Sequence, residues 1–245
     1  MSKAYYRQFK YLLPRIMQTA DKIISVSRWT TEGLAHLFPS FAHKIVTIPN
    51  GFYEFDKEQK FSGELLKTGS TIKLLAVSRF ESYKRLELLC NILYKKPHEF
   101  KAILVTDDHG VKWAHKNAPA LIKLGSLRVV SNIDKNALKK LYRESNVFVH
   151  PSLYEGFCLP AAEALASGTP VVYTSGSALD ETVGNLVGVP MNQSATIFDW
   201  ITAIEYAANL KFTQKFHRDI GDHIEKAPKW DSSAKHLAKV YYSLV

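Results

Sequence analysis

Apolar residues fall along this chain in short unbroken runs, and between the runs they recur at helical spacing. The runs are KIISVS (22–27), KIVTIP (44–49), IKLLAVS (72–78), KAILVT (101–106), LRVVS (127–131), NVFVHPS (146–152) and PVVYTS (170–175). Continuous runs, in place of strict alternation, mark strands covered on both faces, as in a parallel sheet. The stripes between them predict helices. Leu86, Leu89, Ile92 and Leu93 line one; Ala137, Leu138, Leu141 and Tyr142 line another, with Asp134 placed to cap it. Pro160 opens a third and Gly168 closes it, the proline-first, glycine-last order of a helix. Ile197, Ile201, Ile204 and Ala208 mark a long helix near 195–210. Strands alternating with helices imply βαβ units with right-handed crossovers. Residues 71–212 are therefore predicted to form one doubly wound, Rossmann-like α/β domain on a parallel sheet.

The stretch 51–70 breaks the pattern. It is polar, follows the Asn50-Gly51 turn signal and contains Gly63 and Gly69, so it is predicted to be a linker. Two strands and a few helices in residues 1–50 bury too little to stand alone. That segment reads as the closing piece of an N-terminal domain whose beginning lies outside the chain. Residues 213–245 read as a helical tail, with Asp231 as a cap after Trp230 and apolar Leu237, Ala238 and Tyr241 beyond. Near the start, Tyr5, Phe9, Leu12, Ile16 and Ala20 recur at helical spacing, with Lys3, Arg7 and Lys10 on another face. A helix packed inside the N-terminal domain is the preferred reading; the rival is an interfacial helix on anionic lipid. Pro14 is expected to interrupt or begin a helix there.

Composition sharpens this picture mainly through charge. With 46% hydrophobic residues in 245, the chain supports one large core or two modest ones. It holds no run of eighteen apolar residues that would mark a transmembrane helix. Its opening residues lack the apolar core and cleavage site of a signal peptide. Cys90 and Cys158 stand far apart and form no metal pattern. Free thiols in a reducing cytosol are the expectation, with peripheral contact at an anionic membrane face as an added option. The net charge is +9, from 32 basic and 23 acidic residues. Residues 1–30 contribute Lys3, Arg7, Lys10, Arg15, Lys22 and Arg28 against Asp21 alone. Such an excess favours an anionic partner: a phosphorylated small molecule, an anionic membrane surface or nucleic acid. No nucleic-acid motif supports the last. No G-x-G-x-x-G follows a strand, which argues against a dinucleotide oxidoreductase.

Ligands of open α/β sheets bind outside the carboxyl ends of the strands. After LLAVS come Arg79, Lys84 and Arg85. After VFVHPS comes Leu153-Tyr154-Glu155-Gly156-Phe157-Cys158-Leu159, then a helix bearing Glu163. After VVYTS comes Gly176-Ser177-Ala178-Leu179-Asp180-Glu181. Two cations at one strand end suit a diphosphate, Lys as a point charge and Arg as a bidentate donor. Free N–H groups at a helix start add to such a site. A carboxylate apart from the cations suits sugar hydroxyls. Taken singly, each residue has a plainer role. Arg79 and Lys84 can flank a helix start, and Glu163 can simply favour the helix dipole, worth about 0.3–1 kcal/mol. Asp107-Asp108-His109 reads as a solvated turn, with no further ligand pattern for a metal.

Together the segments resemble a known family. LYEGFCLPAAEALASGTPVV resembles the E-x7-E signature of the family 4 glycosyltransferases, with Glu155 and Glu163 as its two acids. ADKIISVSRWTTEGL and KIVTIPNGF are similar to the end of that family's N-terminal domain and its linker. AVSRFESYKRLELL resembles its donor-phosphate segment, ALKKLYRESNVFVHPS the helix and strand before the signature, SGSALDETVGN the following loop, and KWDSSAKHLAKVYYSL the closing helix. The resemblance covers nearly the whole chain. It implies the C-terminal, donor-binding half of a GT-B architecture and a retaining transfer of sugar from a nucleoside-diphosphate sugar to an acceptor hydroxyl. The acceptor would be a glycan or a lipid-linked molecule. Carried over by position, Arg79 and Lys84 would hold the diphosphate, Glu163 the ribose hydroxyls, and Glu155 the transferred sugar. Backbone groups of Gly156, Phe157, Cys158 and Leu159 would touch sugar and phosphate. Glu181 would support the site, and the Ser131-Asn132-Ile133 loop would lie near the base. No metal and no separate cofactor are expected, and transfer is expected to need the rest of the N-terminal half. The family usually has glycine where Cys158 and Ser131 stand, and often a glycine-rich turn at Thr106-Asp107-Asp108-His109. The rival functions are a non-catalytic nucleotide-binding module on the same fold and a sugar-nucleotide epimerase.

Overall fold

The computed structural model describes residues 3–52, 69–184 and 186–244. Residues 53–68, most of the predicted linker, therefore lie outside the described part, as do the side chains of Tyr5, Phe9, Lys3, Arg7 and Lys10. The chain forms two compact units. One contains the residues up to Phe52 and those from Ala227 onward, and the other ends at Lys226. The tail read as one stretch, 213–245, is thus shared between the two units.

The smaller unit opens with α1 (Lys3–Thr19), followed by β1 (Ile23–Ser25), α2 (Arg28–Leu37) and β2 (Ile45–Thr47). The two strands pair in parallel, Ile24 opposite Val46. Ser27 caps α2 by accepting from Thr30 N at 3.1 Å. The α1 helix runs through Pro14 without a break. Proline removes one backbone donor there, and the helix continues on either side of it, contrary to the expected interruption. Leu12 and Ile16 of the predicted stripe are exposed, while neighbouring Met17 is buried. Lys44 Nζ donates to the carbonyls of Gln18 and Ala20 at 2.9 and 2.8 Å, satisfying the end of α1.

The larger unit alternates strands and helices in the predicted way. In chain order it holds β3 (Ile72–Val77), α3 (Leu86–Lys95), β4 (Phe100–Val105), α4 (Asp108–Asn117), α5 (Pro119–Leu124), β5 (Leu127–Val130), α6 (Lys135–Glu144) and β6 (Val147–His150). It continues with α7 (Leu159–Ala166), β7 (Val171–Thr174), α8 (Leu179–Thr182), β8 (Gly188–Met191), α9 (Ile197–Leu210) and α10 (Gln214–Lys226). The last helix, α11 (Trp230–Tyr242), belongs to the smaller unit. It starts one residue before Asp231, and its first turn is closed by Ser232 Oγ, which accepts from Lys229 N at 3.2 Å; Asp231 is not its cap.

Among the described residues of the larger unit, six strands run parallel in the order β5-β4-β3-β6-β7-β8. Renumbered within the sheet this is the 3-2-1-4-5-6 order of doubly wound dinucleotide-type folds, and the direction of winding reverses between β3 and β6. Strand side chains are buried on both faces: Leu75, Phe148, Val149, Val171 and Val172 are fully inaccessible. Trp200, Ile204 and Ala207 of α9 and Leu89, Ile92 and Leu93 of α3 close one face in a single core cluster. Burying each large apolar side chain is worth roughly 1.5–3 kcal/mol.

The ends of α6 and α7 follow the sequence signals. Asp134 caps α6 through Asn136 N and Ala137 N, and Pro160 sits in the first turn of α7. Beyond α7, Gly168 takes φ 68°, the left-handed turn that ends a helix. Asp107-Asp108-His109 departs from the sequence reading. It starts α4, with Asp107 Oδ1 accepting from Gly110 N at 2.9 Å, and is no open turn.

Candidate functional site

Hydrogen bonds tie the loops after β3, β4, β6 and β7 together at the carboxyl edge of the sheet. Phe80 N, after β3, donates to Asp107 Oδ1, after β4, at 3.3 Å. Leu153 N, after β6, donates to Tyr83 O at 2.9 Å, and Ala178 N, after β7, donates to Glu155 O at 3.3 Å. These bonds place the three loops singled out by sequence on one rim, at the point where the winding reverses.

Lys84 and Glu155 meet on that rim. Lys84 closes the short 3-10 turn Ser82–Lys84, and Glu155 lies in the loop between β6 and α7. Seventy-one residues separate them, yet Lys84 Nζ donates to Glu155 Oε1 at 2.5 Å. Their side chains are only 14% and 12% exposed, so the pair is largely out of water. A second cationic group reaches the same oxygen: His150 Nε2 lies 2.6 Å from Glu155 Oε1 and 3.4 Å from Cys158 Sγ. The His150 ring stacks on Phe148, centroids 5.9 Å apart and planes 10° from parallel.

The charges support each other. Burial alone would lower the His150 pKa, but Cys158 and Glu155 outweigh it and raise the value to about 9. Burial alone would raise Glu155; His150 and then Lys84 outweigh that and hold it at about 2. At neutral pH the site therefore carries an ammonium, a carboxylate and an imidazolium in contact. Cys158 takes φ 71°, a strained conformation for a residue with a side chain, just ahead of α7. His150, Glu155 and Cys158 offer three ligand atoms within 4.8 Å of one another, a donor set that zinc-like cations accept. The Lys84 ammonium on the same carboxylate and the positive end of α7 oppose a further cation there.

The other residues named from sequence are placed as follows. Glu163, on α7, is partly buried, and its Oε2 accepts from Tyr142 OH at 2.9 Å. Burial raises its pKa against the opposing pull of Tyr142 and Lys135. It bonds to neither Lys84 nor Glu155. Arg79 and Gly156 are exposed on the rim, Leu159 is half-buried, and Phe157 and Cys158 are buried. Thr182 Oγ1 donates to Phe157 O at 2.6 Å, anchoring that loop to α8, which also carries Glu181. Ile133, partly buried, follows Asn132 in the loop between β5 and α6, where Asn132 takes φ 54°. Three participants escaped the sequence reading. In the sequence His150 reads as part of an apolar strand and Tyr142 as part of a helix stripe. Tyr154, which stacks on Tyr83 at 5.0 Å between centroids, reads in the sequence only as loop. A histidine ending a buried strand at the ligand edge, five residues before a glutamate, was the signal for the first.

Comparison with known proteins speaks to the family and the fold. A family model described as "Glycosyl transferases group 1" matches residues 57–226. A glycosyltransferase of Methanocaldococcus jannaschii is 24% identical over 234 residues, covering 90% of this chain and 59% of that protein. The glycogen synthase of Mycobacterium tuberculosis is 27% identical over 188 residues, covering 76% of this chain and 45% of that protein. The chain thus spans about half to three fifths of the length of these relatives. Among solved structures, the sucrose-phosphate synthase of Thermosynechococcus elongatus aligns with a TM-score of 0.79 and 24% identity, over 99% of this chain and 63% of its own. Anabaena HepE, solved in complex with UDP-glucose, aligns with a TM-score of 0.76 and 17% identity, over 99% and 70%. At these identities the structures speak for the fold, the Rossmann-like α/β arrangement of GT-B glycosyltransferases. With the family model extending over most of its length, this chain belongs to the glycosyl transferases group 1 family.

Proposed function

We propose that the carboxyl-edge rim binds a nucleoside-diphosphate sugar, and that the chain is the donor-binding part of a retaining glycosyltransferase serving polysaccharide, glycolipid or glycan synthesis. The observation that carries this reading is the meeting of Lys84 and Glu155 at the reversal point of the sheet. One is a cation suited to a diphosphate; the other is an acid suited to sugar hydroxyls. HepE, with the same fold, was solved with UDP-glucose bound, which supports a donor of this class.

In this reading Arg79 and Lys84 face the diphosphate. Departure of that group from the anomeric carbon builds negative charge, and preorganised cations stabilise it. Lys84 has three N–H donors, so its bond to Glu155 leaves two for phosphate oxygens. Backbone N–H groups at the start of α7, from Gly156 to Leu159, add to the anion site. Glu155 orients the sugar and attacks nothing. Glu163 accepts from the ribose hydroxyls through Oε1, which takes no other hydrogen bond among the described residues, while Tyr142 fixes Oε2. Glu181 supports the rim and the loop at Ile133 borders the base.

Calorimetry of the chain against UDP-glucose, GDP-mannose and ADP-glucose tests the reading. At least one is expected to bind, and Glu163→Ala is expected to weaken that binding by roughly 1.5–3 kcal/mol, the value of a hydrogen bond to a charged group. Unchanged affinity in a folded variant removes the ribose role.

A further inference from the structure

Glu155 is held from two sides, and the two holds differ in kind. Lys84 reaches it on a flexible four-carbon stem and, in the reading above, also serves the diphosphate. Its hold on the carboxylate is thus shared with the phosphate oxygens that its other two N–H donors would serve. His150 has no such second task. It ends a central strand, its residue is 2% exposed, its ring is stacked on Phe148, and Cys158 Sγ closes on the same nitrogen at 3.4 Å. The contact to Glu155 Oε1 is 2.6 Å. Oε2 of Glu155 accepts no hydrogen bond among the described residues, so the carboxylate is anchored through one oxygen and open at the other.

We propose that His150 is a positioning residue: it fixes Glu155 so that the open carboxylate oxygen meets a hydroxyl of the donor sugar, independently of where Lys84 points. This rests on the donor reading of the rim. A side chain whose orientation is set before the ligand arrives saves the entropy of ordering it on binding. Loss of His150 therefore acts on the sugar and not on the nucleotide. The sensitive quantity is the ratio of affinities for a sugar nucleotide and for the same nucleotide without its sugar.

The experiment is calorimetry of the full chain with UDP and UDP-glucose, GDP and GDP-mannose, and ADP and ADP-glucose. It compares the parent with His150→Phe, which keeps a ring against Phe148, and His150→Gln, which keeps an N–H donor without the ring. Circular dichroism checks the fold of each. For the pair that the parent prefers, His150→Phe is expected to lower the ratio by about tenfold, the effect of one charged hydrogen bond, and His150→Gln to restore part of it. If both variants keep the parent's ratio, the positioning role is wrong while the donor reading stands. If both lose nucleotide and sugar nucleotide alike, His150 is merely structural and the proposal fails. If the parent binds none of the six compounds, the donor reading falls and takes the proposal with it.

Discussion

Replacing Glu155 by glutamine keeps the side chain's shape and removes the charge between His150 and Lys84. The carboxyl is held at about 2, against an ordinary 4.5, which corresponds to roughly 3 kcal/mol in favour of the ionised form in the folded state. His150 is raised from 6.5 to about 9 by Cys158 first and Glu155 second, so part of its shift reports the same contact and the two figures are not additive. The side chains are only 3% and 12% exposed, and solvent screening removes little. Neutralising one member of a buried pair leaves the other uncompensated, at a cost of about 3–5 kcal/mol. Glu155→Gln should therefore destabilise the larger unit by roughly 3 kcal/mol, or about 6–12 °C in Tm for a unit of this size. The pH dependence gives a sharper test. Glu155 is more acidic when folded, so its contribution is present above 4.5 and lost as pH falls towards 2. His150 is more basic when folded, so its contribution is complete below 6.5 and lost as pH rises through 9. The gap between parent and variant should be widest between these ordinary values and shrink on both sides. Scanning calorimetry of both proteins at about pH 3, 5.5 and 9.5 measures it. A gap under about 1 kcal/mol at the middle pH, the level of an exposed pair, or an equal gap at all three, refutes the argument.

Two further substitutions probe the frame of the site by thermal denaturation. At Gly110 an added Cβ would lie 2.0 Å from Thr106 Oγ1 and 2.8 Å from Thr106 Cγ2, so Gly110→Ala should cost about 1–3 kcal/mol through overpacking at the start of α4; an unchanged Tm would show that Thr106 yields freely. At Cys158, φ 71° is free for glycine and worst for a β-branched residue. Cys158→Gly should stay within about 1 kcal/mol of the parent while Cys158→Val loses distinctly more, and equal losses in both would mean that the thiol's contacts, not the backbone, set the cost.

The larger unit was legible because its strands are covered on both faces and so read as unbroken apolar runs. Nine segments of the pattern, from IKLLAVS to the stripe ending at Ala208, became elements within a few residues of the predicted ends. The strand that escaped, β8, contains Gly188 and Pro190; such residues are tolerated at a sheet edge, where one side needs no partner, and they hide the strand pattern. The α4 helix escaped because it buries only Gly110 and Ala114 and so carries no wide apolar stripe. At the site, charged residues in loops after strands were conspicuous, and Lys84 and Glu155 stood out among them, but their roles came from the resemblance of the whole set of motifs to a family. His150 did not stand out, since its only local mark, a place at the end of an apolar strand five residues before Glu155, is faint beside the apolar run that holds it. Its partners lie in a loop and at a helix start, and only the register of the folded sheet brings them within reach.

The ladder between β3 and β6 joins Leu74 to Val147 and Leu75 to Phe148, while β3 and β4 run side by side over six such pairs. The line along which the rim is built is thus the most sparingly stitched part of the sheet. Lys84 stands on one bank of that line, and Glu155 and His150 stand on the other. A molecule gripped from both banks works as a clasp across a natural parting. Occupancy would then stiffen the sheet as a whole, and amide protons deep in β3 and β6 would register a guest that never touches them.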